Sequence, residues 1–140
     1  MDTPHQLHRK PRASRVFLVE DSALIRERLL ALLQGVDGVE VVGDADSAAE
    51  AVDGIVATSA DVVVLDIKLR NSSGLEVLKR IKHLMPNVAV VMLTNYATPE
   101  YREACRQAGA THFLDKTNEF ENLRGVLQQL SRDNQPGDKP

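Results

Sequence analysis

The sequence predicts an α/β fold, a doubly wound parallel sheet of five strands, and three observations carry that prediction. Apolar runs rich in Val, Ile, Leu and Phe recur near residues 15–20, 39–44, 61–66, 88–94 and 111–115, as strands buried on both faces should read. Segments of helical periodicity fill the gaps between them. The strand ends, near 20, 44, 66, 94 and 115, lie 21 to 28 residues apart, which leaves room for the crossover helix that parallel strands need. Five such units are too few for an eight-stranded barrel. An open sheet remains, with its ligand site expected at the carboxyl ends of the strands.

Each helix has its own signals. After the first strand, Ile25, Leu29, Leu32 and Leu33 share one face, and Gly35 and Gly38 punctuate the end. Ser47-Ala48-Ala49-Glu50 is a capping-box pattern opening a second helix with Val52, Ile55 and Val56 on its inner face. Ser73-Gly74-Leu75-Glu76 opens a third, predicted to bury Val77, Leu78, Ile81 and Leu84 and to stop before Pro86. Thr98-Pro99-Glu100 places a cap, a first-turn proline and an early acid before a fourth helix that ends at Gly109. Asn118 is the expected cap of the fifth, whose face is Phe120, Leu123, Val126, Leu127 and Leu130.

A length of 140 residues suits one domain. Its expected body is 15–131, between polar tails at 1–14 and 132–140 that read as disordered. Hydrophobic content of 43% and charged content of 26% are ordinary for a globular protein. A net charge of −3 makes no case for a nucleic-acid or membrane surface. Arg9, Lys10, Arg12 and Arg15 form a small basic arm with no aromatic residues or recognition helix beside it. The longest fully apolar run, Val88 to Leu93, is far short of the roughly 20 residues that span a bilayer. No apolar stretch opens the chain as a signal peptide would, and the lone Cys105 fits a reducing compartment. These features predict a cytoplasmic protein with neither a nucleic-acid nor a membrane partner.

The strand mouths carry the chemistry. Glu20-Asp21 follow Val16-Phe17-Leu18-Val19, Asp66 follows Val62-Val63-Val64-Leu65, and Lys116 comes two residues after Phe113-Leu114. Charges next to buried strands are expensive unless they are paired or bind a metal. Parallel strands would bring all of them to one edge. Three carboxylates with one ammonium suit Mg²⁺, which takes oxygen ligands and leaves positions for phosphate. The ion and Lys116 would balance the charge of Glu20, Asp21 and Asp66. Asp66 is the best nucleophile, and its attack on a phosphoryl group gives an aspartyl phosphate. Such transfer needs mainly positioning and charge neutralisation, for which Mg²⁺, Lys116 and the Thr94 hydroxyl are suited.

With that placement, Val19-Glu20-Asp21, Val64-Leu65-Asp66, Leu93-Thr94, Gly109-Ala110 and Phe113-Leu114-Asp115-Lys116 fall in order, with Gly74 eight residues beyond Asp66. The chain thus resembles the CheY-like receiver domain of bacterial two-component response regulators, over 15 to about 131. The resemblance implies the flavodoxin-like strand order 2-1-3-4-5 and phosphorylation of Asp66 by a sensor histidine kinase or a histidine phosphotransfer protein. It implies Glu20, Asp21, Asp66 and the backbone carbonyl of Lys68 as the Mg²⁺ shell. Thr94 and Phe113 would be the switch residues. They would reshape a partner-binding face on the fourth helix, fifth strand and fifth helix, with Tyr101 and Cys105 as candidate contacts. The implied activity is that of a signalling domain, not an enzyme, which catalyses only its own phosphorylation and dephosphorylation. About nine residues follow the fifth helix, too few for an output domain, so a stand-alone receiver, monomeric or weakly dimeric, is expected.

Three residues depart from the family's pattern, and two more hold positions that set its kinetics. Thr117 follows Lys116 where a cis proline is usual; because a non-proline cis bond costs about 2.5–4 kcal/mol, a trans bond and a shifted loop are expected. Arg70 replaces a common proline, and Asn95 a small residue, where it would narrow access to Asp66. Lys68 and Tyr96 hold the positions that tune hydrolysis, and predict a long-lived phosphoryl form. The alternative reading is a pseudo-receiver, a binding module that is never phosphorylated. A phosphohydrolase is disfavoured because its nucleophile would follow the first strand in an Asp-x-Asp motif, where this chain reads Glu20-Asp21-Ser22. A flavodoxin is disfavoured because acids replace its hydroxyl-rich phosphate loop.

Overall fold

The computed structural model describes residues 13–133. Strands β1 (Ser14–Val19), β2 (Val39–Ala45), β3 (Val62–Leu65), β6 (Ala89–Thr94) and β7 (His112–Asp115) form one sheet in the order β2-β1-β3-β6-β7, with every pair parallel. Strands β4 (Lys68–Leu69) and β5 (Ser72–Ser73) make a separate small antiparallel hairpin. The helices are α1 (Ala23–Leu33), α2 (Ala48–Thr58), α3 (Gly74–Leu84), α4 (Pro99–Gln107) and α5 (Asn122–Asp133). The predicted doubly wound α/β fold is the observed one, with the small hairpin added.

Alternation along the strands builds two cores. Phe17, Val19, Val63, Leu65, Val90 and Met92 pack against Ala51, Val52 and Ile55 of α2, Val77, Leu78 and Ile81 of α3, and Cys105 of α4. Their neighbours Val16, Leu18, Val62, Val64, Val91, Leu93 and Leu114 pack against Leu29 and Leu33 of α1 and Leu123, Leu127 and Leu130 of α5. Each face of the sheet is covered, so the central strands are apolar throughout. β2 differs: as an edge strand it is half-buried along most of its length, not buried on both faces as expected.

The expected caps at Ser47, Ser73 and Thr98 are seen, and Ser22 caps α1 as well, each side chain accepting an amide of its helix's first turn. Two residues expected inside are exposed instead, Val56 and Leu84, at the outer edge of α2 and the end of α3. Asn118 does not cap α5. Residues 116–121 run as turns, and the helix begins at Asn122. The expected tails at 1–14 and 132–140 lie outside the described residues for 1–12 and 134–140. At their inner ends the body is larger than expected: Ser14 opens β1, its amide bonded to Gly38 O at 2.8 Å, and α5 continues to Asp133. No helix of the described residues is long and apolar enough to cross a membrane.

Candidate functional site

Backbone bonds that extend the sheet by one residue fix the charged mouths. Glu20 N–H reaches Ala45 O at 3.0 Å, Asp66 N–H reaches Val19 O at 3.2 Å, and Lys116 N–H reaches Thr94 O at 2.8 Å. Glu20 and Asp66 therefore stand on the adjacent ends of β1 and β3. Lys116 reaches them from β7, beyond β6. Its Nζ donates to Glu20 Oε1 at 2.7 Å and to Asp66 Oδ2 at 2.8 Å. All three side chains are almost fully buried, at 4 to 8% exposed.

Other contacts set the acids. Ser22 N–H donates to Glu20 Oε2 at 3.1 Å, and the Lys68 amide lies at a longer 3.4 Å from Asp66 Oδ1. Gly74 packs against the backbone at Asp66: a Cβ there would overlap the Asp66 carbonyl oxygen, and Gly74 N–H bonds Ile67 O at 2.6 Å. This close approach accounts for a glycine eight residues after Asp66. Asp21 stands half-buried beside Glu20.

One ammonium serves two buried carboxylates. Burial pushes Glu20 above its ordinary value, an effect that the Asp66 charge reinforces and the bonds from Lys116 and Ser22 only partly offset. Burial alone would lower the Lys116 pKa, but bonds to and charges on Asp66 and Glu20 together outweigh it and hold the ammonium above the ordinary lysine value. The site is thus short of positive charge. Glu20, Asp21 and Asp66 offer hard oxygen donors of the kind Mg²⁺ selects, and by that chemistry they fit the ion. They are not drawn into a ready cage: among the described residues no group of three or more His, Cys, Asp or Glu side chains is poised to hold a metal, and Lys116 spans Glu20 and Asp66.

Thr94 is fully buried at the end of β6, and its Oγ1 accepts from Tyr96 N–H at 3.1 Å. Phe113 is half-buried on β7, with the Arg102 guanidinium 4.6 Å from its ring centroid and Arg102 Nη1 donating to Phe113 O at 3.2 Å. Tyr101 is half-buried against the core on the α2–α4 side. Cys105 faces the same core at 0% exposed, and burial pushes its thiol up. It is therefore removed from the candidate partner face: on α4 its side points inward to the sheet.

The departures fit together. The Lys116–Thr117 bond is trans, as no cis peptide occurs among the described residues. Thr117 Oγ1 donates to Asn95 Oδ1 at 3.3 Å, so the two atypical residues meet. Arg70 stands 3.6 Å from Asp46, and Lys68 Nζ lies 5.0 Å from the centroid of the Tyr96 ring. One supporting residue was missed in the sequence. Arg26 donates to Glu20 O at 2.7 Å while its Nε stands 3.7 Å from Asp44, clamping the acidic loop to β2. A cation at the end of the first turn of α1 is its only sequence signal.

Comparison with known proteins agrees with the fold. The family model of the response regulator receiver domain matches residues 16–128. A putative transcriptional regulator of Pseudomonas aeruginosa is 37% identical over 81% of this chain and 53% of its own length. The DNA-binding transcriptional activator DevR/DosR of Mycobacterium tuberculosis is 35% identical over 73% of this chain and 47% of its own. The signal receiver domain of the putative response regulator NarL from the same species superposes with a TM-score of 0.77 at 29% identity, covering 86% of this chain and 98% of that one. The chain thus spans about half the length of the curated relatives it matches. These relatives overturn the expectation of no nucleic-acid partner, since they are transcriptional regulators and one is DNA-binding by name. The physical reason is that the charge of a receiver fold does not report what a regulator twice its length contacts. By sequence match and by architecture, this chain belongs to the response regulator receiver domain family of two-component systems.

Proposed function

We propose that this chain accepts a phosphoryl group on Asp66 from the phosphohistidine of a sensor kinase or a histidine phosphotransfer protein, in a Mg²⁺-dependent step. The observation that carries the proposal is the Lys116 ammonium shared by buried Asp66 and Glu20. Asp66 Oδ2 is committed to Lys116, so Oδ1, with its longer amide contact, is the attacking oxygen. It forms the new P–O bond as the donor's P–N bond breaks and the imidazole leaves with the electron pair. Glu20, Asp21, Asp66 and the Lys68 carbonyl would hold Mg²⁺, which supplies charge neutralisation for the phosphoryl oxygens. Lys116 adds a fixed positive charge on the other side.

Thr94 is the residue proposed to move. Its hydroxyl would exchange the Tyr96 amide for a phosphoryl oxygen, and Phe113 would follow, altering the α4–β7–α5 face. One local charge change thus biases a two-state element. Because the relatives are transcriptional regulators, the output proposed here is control of transcription.

The test is intact mass after incubation with acetyl phosphate and Mg²⁺. Wild type should gain the mass of one phosphoryl group and Asp66→Ala should not. If wild type gains nothing while binding Mg²⁺, the proposal fails and a binding module that is never phosphorylated replaces it.

A further inference from the structure

We infer that Asp115 and Glu119 are positioning residues for Lys116, locking both ends of the short loop that carries it. The inference rests on the role just proposed for Lys116. Asp115 Oδ1 accepts the Thr117 amide at 2.8 Å, an Asx turn that folds the chain back immediately after Lys116. Glu119 then closes the loop in both directions. Its amide donates to Asp115 O at 2.7 Å, and its Oε1 accepts from Asp115 N–H at 2.8 Å. Asn118 Nδ2 adds a longer contact to Asp115 Oδ2 at 3.4 Å.

This reciprocal pairing has the logic of a capping box, yet it does not cap α5, which begins three residues beyond Glu119 at Asn122. It encloses Lys116 instead. A lysine side chain has four flexible bonds and no planar fork to preorganise it. To hold Nζ at 2.7 and 2.8 Å from two acceptors at once, the backbone that bears it must be fixed. The Asp115–Glu119 ring fixes it from one side, and the Lys116 N–H bond to Thr94 O from the other. The Thr117–Asn95 hydroxyl contact ties the same loop to the residue after Thr94. The chain thereby holds its lysine loop with a trans peptide and two carboxylates in place of a proline.

The test compares Glu119→Ala with Glu119→Gln, which keeps an oxygen to accept from Asp115 N–H. Three quantities are read: the maximal rate and the half-saturation for phosphorylation by acetyl phosphate with Mg²⁺, and amide hydrogen exchange at Lys116 and Thr117. Loss of one such hydrogen bond should lower the maximal rate about fivefold, with donor half-saturation unchanged. Exchange should speed up in Glu119→Ala, and Glu119→Gln should restore both. An unchanged maximal rate in Glu119→Ala overturns the inference, as does an equal fall in both variants. If wild type takes no phosphoryl group, the proposed function fails by itself, and exchange alone decides the brace. Faster exchange confined to Glu119→Ala then supports it, and unchanged exchange overturns it.

Discussion

At Glu20 the site stores a conflict that a titration can expose. Its folded-state pKa is raised by burial above the ordinary 4.5, so the folded protein binds this proton more readily than the unfolded chain does. Stability linked to Glu20 is then greatest below pH 4.5 and declines as pH rises through the raised value. Glu20→Gln removes that decline. In EDTA the variant should melt above wild type at neutral pH, and the gap should close as pH falls toward 4.5. A variant that melts below wild type across this range would contradict the charge reading. Lys116 still has Asp66 in that variant, so the ammonium is not orphaned. Two residues beyond Asp66 and Thr94, Lys68 and Tyr96 make a cation–π contact at 5.0 Å. We predict that Tyr96→Ala shortens the phosphoryl half-life roughly two- to fivefold, in line with the modest strength of an exposed cation–π pair. The measurement is loss of labelled phosphate after donor removal. A half-life of seconds in wild type would remove the basis for this shielding.

At the scale of elements, the β3–α3 connection shows why position matters as much as identity. Ser73 caps α3 while Gly74 lies against the Asp66 carbonyl. Gly74→Ala must push either α3 or Asp66 away, and should cost about 3 kcal/mol, at the upper end for overpacking, read as a lower urea midpoint. A variant as stable as wild type would mean that the close approach is not a constraint. In the sequence α1 was legible from its apolar stripe and closing glycines, α2 and α3 from cap and stripe together, and α4 from its cap, first-turn proline and closing glycine. The start of α5 was misread for a physical reason. Asn118 is a good cap residue in isolation, but the bonds between Asp115 and Glu119 hold the chain in turns until Asn122. Reciprocal bonding between a side chain and the backbone four residues away has no periodicity to detect. The β4–β5 hairpin escaped notice because two-residue strands carry no pattern, and Asn71 in the left-handed region is its main local sign.

For the molecule as a whole, the order β2-β1-β3-β6-β7 puts the site where neighbouring crossovers turn to opposite faces of the sheet. The candidate residues were legible because charges at the ends of apolar strands have no packing reason to be there. What they contact was only partly legible: Lys116 meeting Glu20 and Asp66 follows from topology, while the inward turn of Cys105 depends on the rotation of α4. Composition was least informative about partners, because a charge of −3 describes a receiver and not the longer regulators it resembles. The proposed function turns on Asp66 as the residue that carries the phosphoryl group. Borohydride reduction of the acetyl-phosphate-treated protein, followed by peptide mass mapping, tests it directly, since reduction of an aspartyl phosphate leaves homoserine. Homoserine is expected at position 66, dependent on Mg²⁺ and absent without donor. Homoserine at position 20 or 21, or none at all, would contradict it.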